Sequence, residues 1–277
     1  MAEPEKDFPP VRACLFDMDG LLINTEDIYT LCADIVLQRH GRPRLPWSIK
    51  ARLMGVPDSS NGDVFHEWAR LPISRERWRD EQLAEQTRHF PDCQPLPGAE
   101  RLLAHLASDA ACPGVHAALA SSTSRANFAM KRSGPGGETR RMLDLIPECR
   151  QVLGDDPRVR GGRGKPAPDI YLLALAQINE TLPPGEREIT PRECLVFEDS
   201  VVGVEAGRRA GMRVLWVPHE GLAAEYVGKE AEVLAGRIGL VGIGDEHELG
   251  QPGDGWGQQL ASLEDFPYAK YGIPPPL

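Results

Sequence analysis

The chain has 277 residues, and its 31 basic and 41 acidic side chains give a net charge of -10. This length permits one large domain or an enzyme domain with a smaller companion. The negative charge disfavours nucleic acid or an anionic membrane surface as a partner. No C-x-x-C pair, secretion signal at Met1 to Arg12 or run of about 18 apolar residues is present. We therefore expect a soluble cytoplasmic protein, with the nucleus as a second location.

The fold class follows from apolar runs that lack polar alternation. They are Ala13 to Phe16, Val115 to Ala120, Gln151 to Leu153, Cys194 to Phe197 and Val214 to Val217. Continuous apolarity is typical of strands that are covered on both faces. Helical patterns lie between these runs, after Pro97-Gly98, after Pro168 and over Val201 to Ala210. The sequence therefore predicts an α/β fold with a doubly wound parallel sheet.

The interval from Asn24 to Leu96 contains helical patterns and no predicted strand. Its apolar residues at helical spacing are Ile28, Leu31, Cys32, Ile35 and Val36 in a first helix, and Trp78 and Leu83 in a second. We predict N-caps at Asn24 and Ser74. The predicted domains are an α/β core over 1–23 and 97–277 and a small helical cap over 24–96. An insert after the first strand lies over the sheet edge where such folds bind ligands.

The end of the chain carries weaker patterns. The stretch from Gly242 to Gly257 is predicted as an irregular surface segment. The aromatic residues Phe266, Tyr268 and Tyr271 could pack back onto the body, although chain ends often fray.

The first motif of chemical interest is Asp17-Met18-Asp19-Gly20, directly after the first apolar run. Carboxylates two positions apart point to opposite faces of a strand, but a strand that ends between them can turn both toward one site. An ionised carboxylate can attack phosphorus, and paired carboxylates also bind Mg²⁺. Taken alone, the motif could equally be an acidic turn.

Three further polar sites follow later strands. Ser121-Ser122-Thr123-Ser124 offers hydroxyls and N–H groups to an anion, or to helix capping. Lys165 lies between the Gly161 to Gly164 turn and Pro166, where a stiff backbone would hold its ammonium toward phosphate or solvent. Glu198-Asp199 is a second acidic pair that could bind Mg²⁺ or cap a helix. Together with the first motif, these groups describe a phosphoryl-transfer site.

This set of motifs resembles the haloacid dehalogenase superfamily. The four motifs of that family are matched by FDMDG, the Ser121 region, GKPAPD and FEDS, over nearly the whole chain. Within it, the chain is similar to the pseudouridine-5′-phosphatases and related small sugar phosphate phosphatases. That similarity is carried by FDMDGLLINTE, LMG at Leu53 to Gly55, PGAERLLAHL, VLGDDP and LVFEDSVVGVEAGRRAGM.

The resemblance implies a phosphomonoester hydrolase that acts through an aspartyl phosphate. Asp17 would be the nucleophile, and Asp19 the general acid and then the general base. Ser121, Ser122 and Lys165 would hold the phosphoryl oxygens. The expected partner is a small phosphorylated metabolite, with pseudouridine 5′-phosphate favoured, and the expected assembly is a monomer or weak homodimer.

The resemblance also implies a Mg²⁺ cofactor and a substrate-selecting cap. The implied metal ligands are Asp17, the Asp19 main-chain carbonyl, Asp199, and Glu198 directly or through water. Met54 and Gly55 in the insert would contribute to substrate selection. The insert is the region of this chain that is least similar to the family. Because the insert would select the substrate, several metabolites remain candidates.

Other functions remain open from the sequence. A DL-glycerol-3-phosphatase or a 2-deoxy-sugar phosphate phosphatase would use the same core residues. A sugar phosphate mutase needs a second phosphate site, but Val56-Pro57-Asp58 follows Gly55 with no Lys or Arg before Arg70. A non-catalytic binding protein of this fold would be expected to lack the nucleophile or the metal carboxylates, and all of these are present.

Overall fold

The computed structural model describes residues 8–55, 58–159, 163–242 and 244–276. Among the features discussed above, Met1 to Asp7, Val56-Pro57 and Gly161-Gly162 lie outside the described residues. Within the described ranges, six parallel strands form one sheet in the order β3-β2-β1-β4-β5-β6. The strands are β1 (Ala13–Phe16), β2 (His116–Ser121), β3 (Gln151–Leu153), β4 (Cys194–Glu198), β5 (Arg213–Trp216) and β6 (Gly257–Gln259). The order runs outward from β1 in both directions, which confirms the doubly wound sheet.

The sheet is buried on both faces, as continuous apolar strands require. Cys14 and Phe16 of β1 pack into one hydrophobic core, while Ala13 and Leu15 pack into a second core on the other face. Phe16 also stacks on Phe197 of β4, with ring centroids 4.4 Å apart. All five predicted strands are present, with bounds that differ by at most one residue.

The helices are α1 (Thr25–Arg39), α2 (Trp47–Lys50), α3 (Asp58–Ala69), α4 (Arg75–His89), α5 (Ala99–Leu106), α6 (Arg125–Lys131), α7 (Glu138–Leu143), α8 (Asp169–Glu180), α9 (Val201–Arg209), α10 (Glu220–Glu225) and α11 (Glu230–Leu234). Side chains of α5, α6 and α7 join the core on one face of the sheet, and those of α8 to α11 join the core on the other. No helix in the described ranges is long and apolar enough to cross a membrane.

The insert builds a small hydrophobic cluster of its own from α1, α3 and α4. Its buried members are Ala33, Val36, Leu37, Phe65, Ala69 and Trp78. The spacing predicts Trp78 and Leu83 as inward contacts of the second helix, and for Leu83 this is wrong, because its side chain is 52% exposed. Leu31, which fits the spacing of the first helix, is 45% exposed. On α4, Glu81 and Glu85 follow Trp78 by one and two helical turns. Both pair with Arg39 of α1. An ionic contact therefore replaces the apolar one that the spacing predicted.

The chain enters and leaves the insert through two adjacent segments. Ile23 bridges to Pro95, and the Asn24 N–H donates to the Gln94 carbonyl at 3.1 Å. Asn24 precedes α1, but its side chain makes no cap bond, so the predicted cap interaction is wrong. Its Oδ1 instead accepts from the Gln94 N–H at 2.8 Å and ties the two segments together. Ser74 does cap α4, through the Arg77 N–H at 3.2 Å.

The chain end is more ordered than its composition suggested. The segment predicted to be irregular up to Gly257 leads directly into the edge strand β6. Phe266 and Tyr271 are buried and stack at 5.6 Å, within the core that also contains Phe16 and Phe197. The C-terminal segment therefore covers one face of the sheet.

Candidate active site

Three central strands end at one level of the sheet. Phe16 of β1 lies opposite Leu119 of β2 and Phe197 of β4. Asp17, Ser121 and Glu198 therefore leave the sheet at the same carboxyl edge, where open α/β folds bind ligands.

The turn after β1 brings Asp19 back toward the sheet edge. Gly20 has a φ of 75°, in the left-handed region that glycine favours. Its N–H donates to the Ile23 carbonyl and to Thr25 Oγ1, both at 3.0 Å. A Cβ at this position would lie 2.2 Å from Asp199 Oδ2, so only glycine leaves room for that carboxylate.

A buried ammonium joins the first and last motifs. Lys165 Nζ donates to Asp17 Oδ1 at 2.5 Å and to Glu198 Oε1. Burial alone would lower the pKa of Lys165, but the Asp17 and Glu198 carboxylates raise it above its ordinary value. Lys165 is therefore a fixed cation between two carboxylates.

Glu198 is surrounded by hydrogen-bond donors. Besides Lys165, the Tyr171 hydroxyl donates to its Oε1 at 2.6 Å. The Ser200 N–H and hydroxyl donate to its Oε2 at 3.1 and 3.0 Å. Both oxygens of Glu198 are thus held in place by the protein.

Asp17, Glu198 and Asp199 form a cluster that could hold a metal ion. Each offers a carboxylate oxygen within 4.8 Å of the others, and all three are buried. Burial and the neighbouring carboxylates raise the pKa of Asp17 to about 7 and that of Asp199 well above its usual range. Among the described residues, Asp199 Oδ2 has no hydrogen-bond partner although it is buried. Three carboxylates facing one ammonium suit a hard cation.

The tight fit between Glu198 and helix α9 gives a testable consequence. A Cβ on Gly203 would lie 1.8 Å from Glu198 Oε1. We expect Gly203→Ala to displace that carboxylate and lower the free energy of unfolding by about 1–3 kcal/mol, measured by urea denaturation. Gly242→Ala is the matched control, because among the described residues beyond its chain neighbours no atom lies within 4 Å of the added methyl group. It should change stability by less than about 0.5 kcal/mol, and equal losses for both variants would contradict the clash.

Two of the predicted phosphate-binding residues, Ser121 and Ser122, lie where β2 ends. Ser121 is fully buried, and its Oγ accepts from the Thr123 N–H at 3.2 Å. Ser122 is exposed at the start of the turn. Ser124 caps α6 by accepting from the Asn127 N–H at 3.3 Å. The cluster therefore contains a capping residue, and phosphate binding by Ser121 and Ser122 stays a prediction.

A second buried ammonium, which the sequence analysis missed, belongs to Lys131 at the end of α6. Its Nζ donates to Asp19 Oδ1 at 2.6 Å, and to Tyr29 Oη and Thr123 Oγ1 at 3.0 Å each. Burial would lower its pKa, but Asp19 and Tyr29 raise it above its ordinary value. Asp17 and Asp19 are therefore paired with different lysines.

The insert contacts the core beside this cluster. Met54 is buried, and Gly55 approaches so closely that a Cβ would lie 2.6 Å from Val202 Cγ2 and 2.7 Å from Ser200 Oγ. Gly55 thus lies next to the segment that follows Glu198 and Asp199, and Met54 directly precedes it in the chain. Their effect on substrate choice stays a prediction.

The fold and the four motif sites define the class of protein. A model of the haloacid dehalogenase-like hydrolases matches residues 11–211, and the chain belongs to that family. This confirms the resemblance carried by its motifs.

The chain is also similar to individual proteins within and beyond the curated phosphatases. A probable pseudouridine-5′-phosphatase of Saccharomyces cerevisiae is 37% identical over 263 residues, which cover 95% of this chain and 98% of that protein. The mitochondrial (DL)-glycerol-3-phosphatase 1 of Arabidopsis thaliana is 33% identical, over 84% of this chain and 75% of that protein. The crystal structure of a haloacid dehalogenase hydrolase from Entamoeba histolytica superposes with a TM-score of 0.61 over 94% of this chain and 96% of that one. Its identity of 17% supports the fold alone.

Proposed function

We propose that the protein is a magnesium-dependent phosphatase of a small phosphorylated metabolite, with pseudouridine 5′-phosphate as its favoured substrate. The observation that carries this proposal is the buried cluster of Asp17, Lys165, Glu198 and Asp199 at the carboxyl edge of the sheet, with Asp19 beside it. Positioned charge of both signs is what phosphoryl transfer requires.

The proposed reaction has two steps. An Asp17 carboxylate oxygen attacks phosphorus, the bond from phosphorus to the leaving oxygen breaks, and Asp19 gives that oxygen a proton. A water molecule then attacks the phosphorus of the aspartyl phosphate while Asp19 takes a proton from it. Orthophosphate leaves, and Asp17 is regenerated as a carboxylate. Lys165, Ser121 and Ser122 would bind the phosphoryl oxygens throughout.

The residues at the cluster fit a Mg²⁺ ion. Asp17, Asp199 and the Asp19 main-chain carbonyl would hold it, and the unpartnered Oδ2 of Asp199 supports this assignment. Because both Glu198 oxygens already accept hydrogen bonds, we assign Glu198 to orienting Lys165 and Ser200, with contact to the ion through water. When bound, Mg²⁺ would neutralise part of the charge on the phosphate and the carboxylates.

The choice of substrate rests on the relatives and on the insert. The yeast relative is matched over 98% of its length, so its similarity includes the insert that we propose as the cap, residues 24–96. The glycerol-3-phosphatase relative is matched over 75% of its length and supports a glycerol phosphate as the second candidate. We propose that Met54 and Gly55 contribute to this choice from beside the cluster.

Phosphate release from a panel of phosphomonoesters tests the proposal. We expect kcat/KM for pseudouridine 5′-phosphate to exceed that for uridine 5′-phosphate and glycerol 3-phosphate by about 10-fold or more. Uridine 5′-phosphate is the matched control, since it differs only in how the base joins the ribose. Chelation of Mg²⁺ should abolish release, and added Mg²⁺ should restore it. A preference for glycerol 3-phosphate would change the substrate, while no release from any phosphomonoester would overturn the proposed function.

A further inference from the structure

Lys131 has no part in the four motif sites, although its ammonium is among the most constrained groups in the described structure. All three of its N–H donors are used, by Asp19, Tyr29 and Thr123. The ammonium also lies 5.0 Å from the ring centroids of Tyr29 and Phe90. Burying a cation is strongly unfavourable unless partners compensate its charge. Lys131 therefore differs from an ordinary solvated surface lysine, because its ammonium is buried and fully hydrogen-bonded.

The four segments around the ammonium suggest what it does. Asp19 and Thr123 lie on the turns after β1 and β2, which carry the proposed nucleophile and the phosphate-binding hydroxyls. Tyr29 lies on α1, and Phe90 follows α4, at the two ends of the insert. The ammonium thus fixes the Asp19 carboxylate relative to both the turn after β2 and the insert.

We infer that Lys131 is a positioning residue for Asp19, which holds Oδ1 and leaves Oδ2 to exchange the proton with the leaving oxygen and then with water. This inference rests on the proposed function, because it assigns Lys131 a part in that same reaction. A small misplacement of a catalytic group costs large factors in rate. Lys131 touches neither the phosphate nor the leaving group in this role and acts only through Asp19.

The test compares two leaving groups. An alkoxide leaving group needs the proton from Asp19, whereas p-nitrophenolate is a stable anion that departs without one. We expect Lys131→Met to lower kcat/KM about 10²-fold for the preferred sugar or glycerol phosphate, and less than about 5-fold for p-nitrophenyl phosphate. Since kcat/KM covers the steps up to departure of the leaving group, the comparison isolates the proton donor.

Further variants separate positioning from a general loss of structure. Asp19→Asn should give the same leaving-group dependence, and Lys131→Met added to it should cost less than about 3-fold more. Lys50→Met is the matched control, because Lys50 is also buried but donates to Glu26 and Thr30. Any loss from that variant should be equal for both substrates. If Lys131→Met does not fold, Tyr29→Phe removes one ammonium partner and should give a smaller loss with the same dependence.

The possible results are distinguishable. Equal losses on both substrates, or unchanged kinetics, for Lys131→Met and Tyr29→Phe would overturn the inference and leave the phosphatase proposal in place. If the wild-type protein hydrolyses neither substrate, the proposed function fails and the inference fails with it.

Discussion

Replacing Asp17 by Asn is expected to abolish phosphate release while leaving the protein folded. The amide oxygen of Asn keeps the shape of the carboxylate and can still accept a hydrogen bond from Lys165, which lies 2.5 Å from Asp17 Oδ1. The amide is not a nucleophile toward phosphorus, however, and it is a weaker ligand for a hard cation. We expect kcat to fall by about 10⁴-fold or more.

Steady-state phosphate release at saturating Mg²⁺ measures the loss, and circular dichroism checks the fold. Asp34→Asn is the matched control, because Asp34 accepts from the Leu45 N–H at 2.8 Å in the insert and is not part of the cluster. Its turnover should stay within about 2-fold of wild type. Turnover by Asp17→Asn close to the wild-type rate would exclude Asp17 as the nucleophile.

The fold was largely predictable because its strands are covered on both faces. Such strands read as continuous apolar runs, and every residue of β1 and β4 is buried. Strand β6 lies at the sheet edge and consists of Gly257, Gln258 and Gln259, so it carries no apolar signal. The helices of the insert were predictable, but the faces that they turn toward one another were not. The reason is that α4 contacts α1 through the Glu81 and Glu85 carboxylates, which give no apolar signal.

The site was predictable where chemistry follows a strand directly. Asp17 and Glu198 lie at adjacent strand ends because parallel strands bring their carboxyl ends together. Lys131 and Tyr171 were not predictable in this way. Lys131 ends a short helix, and its partner Asp19 is 112 residues away in the chain. Tyr171 lies in the apolar helix α8, where an aromatic residue indicates core packing before it indicates a hydrogen bond to Glu198.

The second large effect is expected from Lys165→Met, which should reduce both activity and stability. The ammonium is the cation that Asp17 and Glu198 share, so its removal leaves two carboxylates buried without it and a third, Asp199, beside them. Breaking a buried ion pair by removing one partner costs about 3–5 kcal/mol. We expect a loss of about 3 kcal/mol in the free energy of unfolding, measured by urea denaturation without Mg²⁺.

A double variant shows whether charge is the cause of that loss. Asp17→Asn removes one of the two carboxylates that Lys165 neutralises, so adding it to Lys165→Met should restore about 1 kcal/mol or more. Lys229→Met is the control, because Lys229 is exposed, and it should change stability by less than about 0.5 kcal/mol. A double variant as unstable as Lys165→Met would point to lost packing of the lysine stem instead. Restored stability in the double variant would identify the ammonium as the counter-ion of the buried carboxylates. The activity of Lys165 is read from Lys165→Met alone, because Asp17→Asn by itself is expected to abolish phosphate release.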